Sequence, residues 1–276
     1  MSPLVVAAVL LSASLHAGWN ALLRQSSDRQ WTVGWIGVST LVVSGPLLPL
    51  IRFPTTVWPM VLASSSLHVL YLMLLAKAYE VNELSFAYPI ARGSSPILVS
   101  TGGFLLASER PGALQAIGIA SIVGGIIGLG LGSKHWDRTG LLIALAIGCV
   151  IAIYTVIDGM AARRSGMPTE YNLWCFSVYG LAVLAIQLKN GGHRALHGSR
   201  KDVVLAFGGG VTSVVAYAIV TWAMARSPMG MVSALRETST LFATAIGIVI
   251  LRERFSRQKL ACCAAIAAGA IMIGIG

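Results

Sequence analysis

The sequence predicts an all-α integral membrane protein of ten transmembrane helices, arranged as two inverted five-helix repeats. Three observations predict it. Apolar residues make up 56% of the 276-residue chain and charged ones only 11%, less than half the ~25% of ordinary globular proteins, and mean hydropathy is +0.78. The apolar residues fall in runs of about twenty, which at 1.5 Å rise per residue match the ~30 Å hydrocarbon slab of a bilayer. The chain also aligns with itself at an offset of 144 residues, with 11 identities in 41 over positions 92–132. A soluble enzyme, a disordered chain and a disulfide scaffold are excluded together.

The first span covers roughly 4–24. No basic segment precedes it, and its apolar stretch continues past His16 and Trp19 to Arg24, so it reads as a retained helix rather than a secretory leader. The others run over 31–51, 57–79, 84–107, 111–132, 139–162, 170–188, 202–226, 230–251 and 256–275. Between them, 24–29, 52–56, 80–83, 109–111, 134–138, 163–168, 189–201, 226–228 and 252–257 supply charge, Pro or Gly where a helix leaves the membrane. The ~10-residue alternation of an outer-membrane barrel is missing.

The self-alignment divides the spans into a first unit, 1–132, and a second, 139–276. Arg92 falls on Arg236, Ser95 on Ser239, Gly103 on Gly247, and Glu109-Arg110 on Glu253-Arg254. Shared Gly/Ala/Ile composition can produce the glycine matches. It does not readily align an intramembrane arginine and a loop Glu-Arg pair as well. Five spans is an odd number, so the second unit enters the membrane upside down, an arrangement suited to a midplane site opening alternately to each side.

Charge follows the same logic. Twenty Lys+Arg against 10 Asp+Glu give +10, which in a soluble protein would point to nucleic acid. Here most basic residues lie in short loops, where they read as orientation signals and head-group contacts. The expected partners are therefore a bilayer and a small solute, with no nucleic acid. Excluding Arg92 and Arg236, the odd-numbered loops carry 13 Lys/Arg and the even-numbered ones 5, which puts the odd loops in the cytoplasm and both termini outside. Cys149, Cys175, Cys262 and Cys263 lie within apolar runs without metal-ligand spacing, so neither a metal nor a cofactor is expected. No phosphate-binding Gly-rich loop is present either, which leaves passive or ion-coupled transport.

Ten helices in two halves, the Trp19-Asn20 pair, and the Glu109-Arg110 and Glu253-Arg254 turns resemble the drug/metabolite transporter superfamily. Within it the chain is most similar to EamA-type exporters, including bacterial amino-acid exporters that prefer aromatic substrates. The resemblance covers the whole chain. It implies a non-enzymatic exporter of small metabolites, best amino acids, in the bacterial inner membrane, as monomer or homodimer. It also implies cytoplasmic termini, opposite to the loop count. Two alternatives stand beside it: a drug or nucleoside/phosphosugar transporter on the same fold, and a non-transporting membrane enzyme or assembly protein.

Charge inside hydrocarbon is costly and marks candidate sites. Arg92 and Arg236 hold equivalent repeat positions, and Glu237 follows the second. Tyr88, Arg92 and Ser95 share one helical face, as do Ser233, Arg236 and Thr240. These faces suit either a substrate carboxylate or phosphate held bidentately, or an internal lock between helices. Pro89, Gly93 and Pro96 form a candidate hinge in the fourth span, a stretch where the ninth has no proline. Helical spacing further groups His16, Trp19 and Asn20; His68, Tyr71 and Leu75; Tyr154 and Asp158; and Tyr217 and Thr221 as an aromatic-rich lining. The same groups also suit ordinary packing. Trp31, Trp35, Trp58, Trp136 and Trp174 read as interfacial anchors. Gly118, Gly124, Gly125, Gly128 and Gly132, with Ala261, Ala265 and Gly269, mark close-packing faces within the monomer or across a dimer.

Overall fold

A lipid-exposed backbone must satisfy its own hydrogen bonds, and apolar runs punctuated by Pro, Gly and charge do so as helices. A computed structural model describes residues 1–23, 26, 28–80, 84–130, 138–191, 198–249 and 256–276. The first five helices are α1 (Pro3–Leu23), α2 (Arg29–Ser44), α3 (Trp58–Glu80), α4 (Leu84–Ala107) and α5 (Ala113–Gly130). The rest are α6 (Arg138–Ser165), α7 (Pro168–Gly191), α8 (Arg200–Met224), α9 (Met229–Arg236), α10 (Ser239–Val249) and α11 (Arg257–Ile275). No strand occurs among the described residues. Eight of these helices are long and apolar enough to cross a membrane, the second with a 3-10 extension at Gly45–Leu50 where Pro46 and Pro49 remove amide donors. Side-chain caps start α2, α8 and α11: Asp28, Ser199 and Ser256 accept from the amides of Trp31, Asp202 and Lys259.

The ninth span departs from expectation. Instead of one helix over 230–251 it is two, α9 of 8 residues and α10 of 11. The Glu237 and Thr238 amides donate back three residues, to Ala234 O at 3.0 Å and Leu235 O at 3.1 Å. The hydroxyl of Thr238 donates to Leu235 O at 2.7 Å and that of Thr240 to Glu237 O at 2.8 Å. Side chains thus take carbonyls that a continuous helix would give to amides, and the helix stops without proline. By contrast α4 runs unbroken through Pro89, Gly93 and Pro96.

Glycine and serine set the close approaches, and the contact registers give the helix senses. On α5 a Cβ at Gly118 would stand 2.8 Å from Gly269 O and one at Gly125 2.7 Å from Cys262 O, an antiparallel seam with α11. Ser121 Oγ donates to Ala265 O at 2.8 Å across it. These small-residue faces therefore pack within the monomer, whereas a Cβ at Gly124 would meet open space. α2 and α7 are also antiparallel, Gly37 facing Val183 and Gly180 facing Leu41, with Thr40 Oγ1 donating to Phe176 O at 3.1 Å and Ser44 bonded to Ser177 at 2.7 Å. α4 and α9 run antiparallel from Ser100–Gly230 to Arg92–Glu237. α4 also packs on α5 and α6, α3 on α6 and α7, α1 on α8 and α10, and α2 on α8.

The largest buried cluster includes Val99, Ile119, Ile122, Met224, Met229, Met231, Leu235 and Ile266. Val99 and Met224 lie toward the ends of α4 and α8, Met229 and Met231 at the start of α9 and Ile119 in the first half of α5, so apolar packing fills the end of the bundle that carries the even-numbered loops. Toward the odd-loop end the bundle is hollow.

Candidate functional site

The hollow is a cavity of about 200 Å³. Its wall includes nine of the polar and aromatic residues singled out in the sequence: His16, Trp19, Asn20, His68, Tyr71, Arg92, Tyr154, Tyr217 and Arg236. Residues three or four apart share a face of their helix, which brings His16 with Trp19 and Asn20, and His68 with Tyr71, to the wall together. Gly208 and Gly209 on α8 leave room for the Trp19 indole, which a Cβ at either position would crowd. Asn20 Nδ2 donates to His16 O at 2.7 Å. His68 Nδ1 lies 2.9 Å from the Ser64 carbonyl. That contact requires the proton on Nδ1 and leaves Nε2 as the ring's acceptor.

One wall is aromatic. His68 stacks on Tyr154 with centroids 4.1 Å apart, and Tyr217 and Tyr179 stand 5.6 and 5.8 Å from the same imidazole. Phe176 meets Tyr217 edge-on at 5.7 Å. Asp158, expected in the lining, sits behind it: Tyr171 donates to Oδ1 at 2.7 Å and Tyr217 to Oδ2. Tyr217 thereby spends its proton on Asp158, and its oxygen can act toward the cavity only as an acceptor.

The adjoining pole is cationic. Arg92 Nε lies 2.7 Å from Glu237 Oε2, and Arg92 Nη2 donates to Ser239 Oγ at 3.4 Å. Arg236 Nε lies 3.9 Å from Glu237 Oε1, and its guanidinium carbon stands 5.9 Å from the Tyr217 ring centroid. Glu237 is fully buried behind the wall, one carboxylate between two arginines. Arg236 Nε and Nη2 are buried and find no hydrogen-bond acceptor among the described residues. Its charge sits in the last turn of α9, where the helix dipole favours a cation.

Other expectations fall elsewhere. The Tyr88 side chain, Trp136, Glu253 and Arg254 lie outside the described residues. Gly93 lies against α5, where a Cβ would stand 3.0 Å from Ile127. Sequence reading passed over Ser12, Thr40, Phe176, Tyr179 and Ser213, which also line the cavity. Phe176 and Tyr179 are three apart on α7, a helical spacing that offered a signal. Among the described residues no group of His, Cys, Asp and Glu is placed to hold a metal.

Membrane-length helices around a polar-lined cavity with intramembrane charge define an integral membrane protein with a buried polar interior. Residues 138–275 match the EamA-like transporter family, half of the chain. The chain belongs to that family, and so is a multi-pass membrane transporter of the drug/metabolite type, a family of transporters rather than enzymes. A crystal structure, described only as that of a protein, aligns over 99% of this chain and 96% of its own with a TM-score of 0.78 at 18% identity. That likeness is one of fold. No curated protein matches the sequence.

Proposed function

We propose that the protein exports small zwitterionic metabolites, best amino acids with aromatic or bulky side chains, across a bacterial inner membrane by alternating access. The observation that carries this reading is the buried pair of arginines sharing a single carboxylate on the cavity wall. Arg92 is engaged by Glu237 and Ser239, while Arg236 keeps donors in hand, suited to a substrate carboxylate. At the aromatic pole, the Tyr217 oxygen and the rings of Tyr154, Tyr179 and Phe176 suit an ammonium group and an apolar side chain. Pockets that hold drug-sized ligands measure roughly 300–1,000 Å³, more than this cavity's 200 Å³. A phosphate dianion would meet two guanidiniums of which Glu237 already neutralises one.

Alternating access draws support from the packing. Under the 144-residue offset the contact between Gly118 and Gly269 maps onto one between Cys262 and Gly125, and that contact is also made. The pairings α3 on α6 and α2 on α8 likewise exchange for α8 on α1 and α7 on α3. The equivalent helices α2 and α7, α4 and α9, and α5 and α11 are antiparallel. All of this suits two inverted units, 1–132 and 139–276, with Pro89, Gly93 and Pro96 as bending points of α4. By loop charge, which belongs to this chain rather than to a resemblance, the cavity faces the cytoplasm, the loading side for an exporter.

Counterflow in proteoliposomes tests the reading. Amino acids should accelerate tracer exchange, while their des-amino and phosphorylated analogues compete weakly. Failure of every amino acid defeats it, and preferential competition by phosphomonoesters moves the reading to the phosphosugar class.

A further inference from the structure

The filled end of the bundle carries a charged clasp. α4 stops at Ala107, Ser108 takes a left-handed φ of 54°, and the Glu109 amide donates to Gly103 O at 3.0 Å. This closure over residues 103–109 turns Glu109 back over the helix end. Gly103 leaves the room the Glu109 carboxylate occupies, since a Cβ there would run into it and displace it. Turned back, that carboxylate accepts the Met229 amide, at the start of α9, on both oxygens at 3.0 and 2.9 Å. It also takes Arg163 Nη2 from the end of α6. Arg163 in turn donates Nε to Met224 O at 2.9 Å and Nη2 to Ser227 O at 2.8 Å.

Three elements from both halves of the chain are thus tied at one end: the turn after α4, the end of α6 and the α8–α9 connection. Just inward of the clasp, Ser100 packs against Gly230. Beyond it lies the apolar cluster that separates this end from the cavity. The 144-residue offset pairs Arg163 with Trp19, so the opposite end of the pathway has an indole where this end has a guanidinium.

We propose that Glu109 and Arg163 form the latch that holds the even-loop end of the transport pathway shut while the cavity is open at the other end. This rests on the alternating-access reading but is independent of which solute is moved. Opening that end requires α4 to part from α9, and so requires Glu109 to release the Met229 amide. The carboxylate and guanidinium then face water together, which keeps the released pair solvated rather than stranded in hydrocarbon.

The test uses paired cysteine reporters, Ser100→Cys behind the latch and Leu75→Cys in the cavity wall. Both are placed in a folded background lacking Cys149, Cys175, Cys262 and Cys263, and labelled with a membrane-impermeant thiol reagent from each side. Glu109→Gln and Arg163→Met should each raise labelling at position 100 from the even-loop side about tenfold, as loss of one charge-assisted bond permits. They should lower labelling at position 75 from the other side. Arg163→Lys, which keeps the charge and loses the fork, should fall between and serves if the other variants fold poorly. A rise at both ends means general loosening and overturns the latch, as does no change at either. Because labelling needs no transported solute, failure of the amino-acid reading would leave this result standing on its own.

Discussion

Arg236→Lys separates substrate recognition from architecture. The substitution keeps a cation in the last turn of α9 and removes the planar fork. Arg236 reaches Glu237 only at 3.9 Å, and two of its nitrogens have no acceptor among the described residues, so little internal bonding is lost. What is lost is the bidentate grip on a carboxylate. A hydrogen bond to a charged group contributes about 1.5–3 kcal/mol, and 1.4 kcal/mol is a tenfold change in affinity. Binding of a labelled amino acid to the purified protein should therefore weaken by roughly 10- to 150-fold, with KM in counterflow rising in step and folded yield unchanged. Arg92→Met is the contrast. Its Nε sits 2.7 Å from a fully buried carboxylate, and stranding such a charge costs about 3–5 kcal/mol, which should show as lost yield and thermostability. Unaltered affinity in Arg236→Lys would refute the carboxylate assignment, and a stable Arg92→Met would refute the division of labour between the two arginines.

Three further outcomes follow from the same geometry. Tyr217→Phe keeps the ring but removes the oxygen held by Asp158, and should narrow the preference for an amino acid over its des-amino analogue by about tenfold in competition binding. Gly118→Val puts carbon where Gly269 O stands 2.8 Å from the Cβ position, and overpacking of about 1–3 kcal/mol should lower the melting temperature of the purified protein in detergent. Ser44→Ala removes the buried bond to Ser177 at 2.7 Å, yet such interhelical bonds average only about 0.6 kcal/mol in lipid, so thermostability should barely change.

Much of the site was legible because charge and polarity in hydrocarbon are rare enough to stand out. Arg92 and Arg236 were visible as charges within apolar spans and the triplet of His16, Trp19 and Asn20 from helical spacing, and they meet in one cavity. Glu237 was visible as a charge, but its position between the arginines depends on the break after α9. That break was hidden because it uses neither proline nor glycine. Its signature is the run Thr238-Ser239-Thr240, hydroxyls able to take carbonyls from the helix. The clasp was hidden for a different reason. Glu109 and Arg163 both read as loop charges, and only the left-handed turn at Ser108 brings the carboxylate back to α9. A long-range pairing of this kind leaves no local pattern.

The unlike construction of the fourth and ninth spans has a kinetic consequence. One is a continuous helix threaded by two prolines, the other two short helices joined at a hydroxyl-rich break. If the two units trade conformations to move solute, the two open states deform different hardware and differ in free energy, so the climb to their common transition state is higher from one side than from the other. Which of the two crossings limits turnover is then a property of the protein. The direction of net flow is not, because a transition state enters both directions of a reversible step equally; an uncoupled carrier of this build can be slow one way round its loop and still equilibrate its solute without bias.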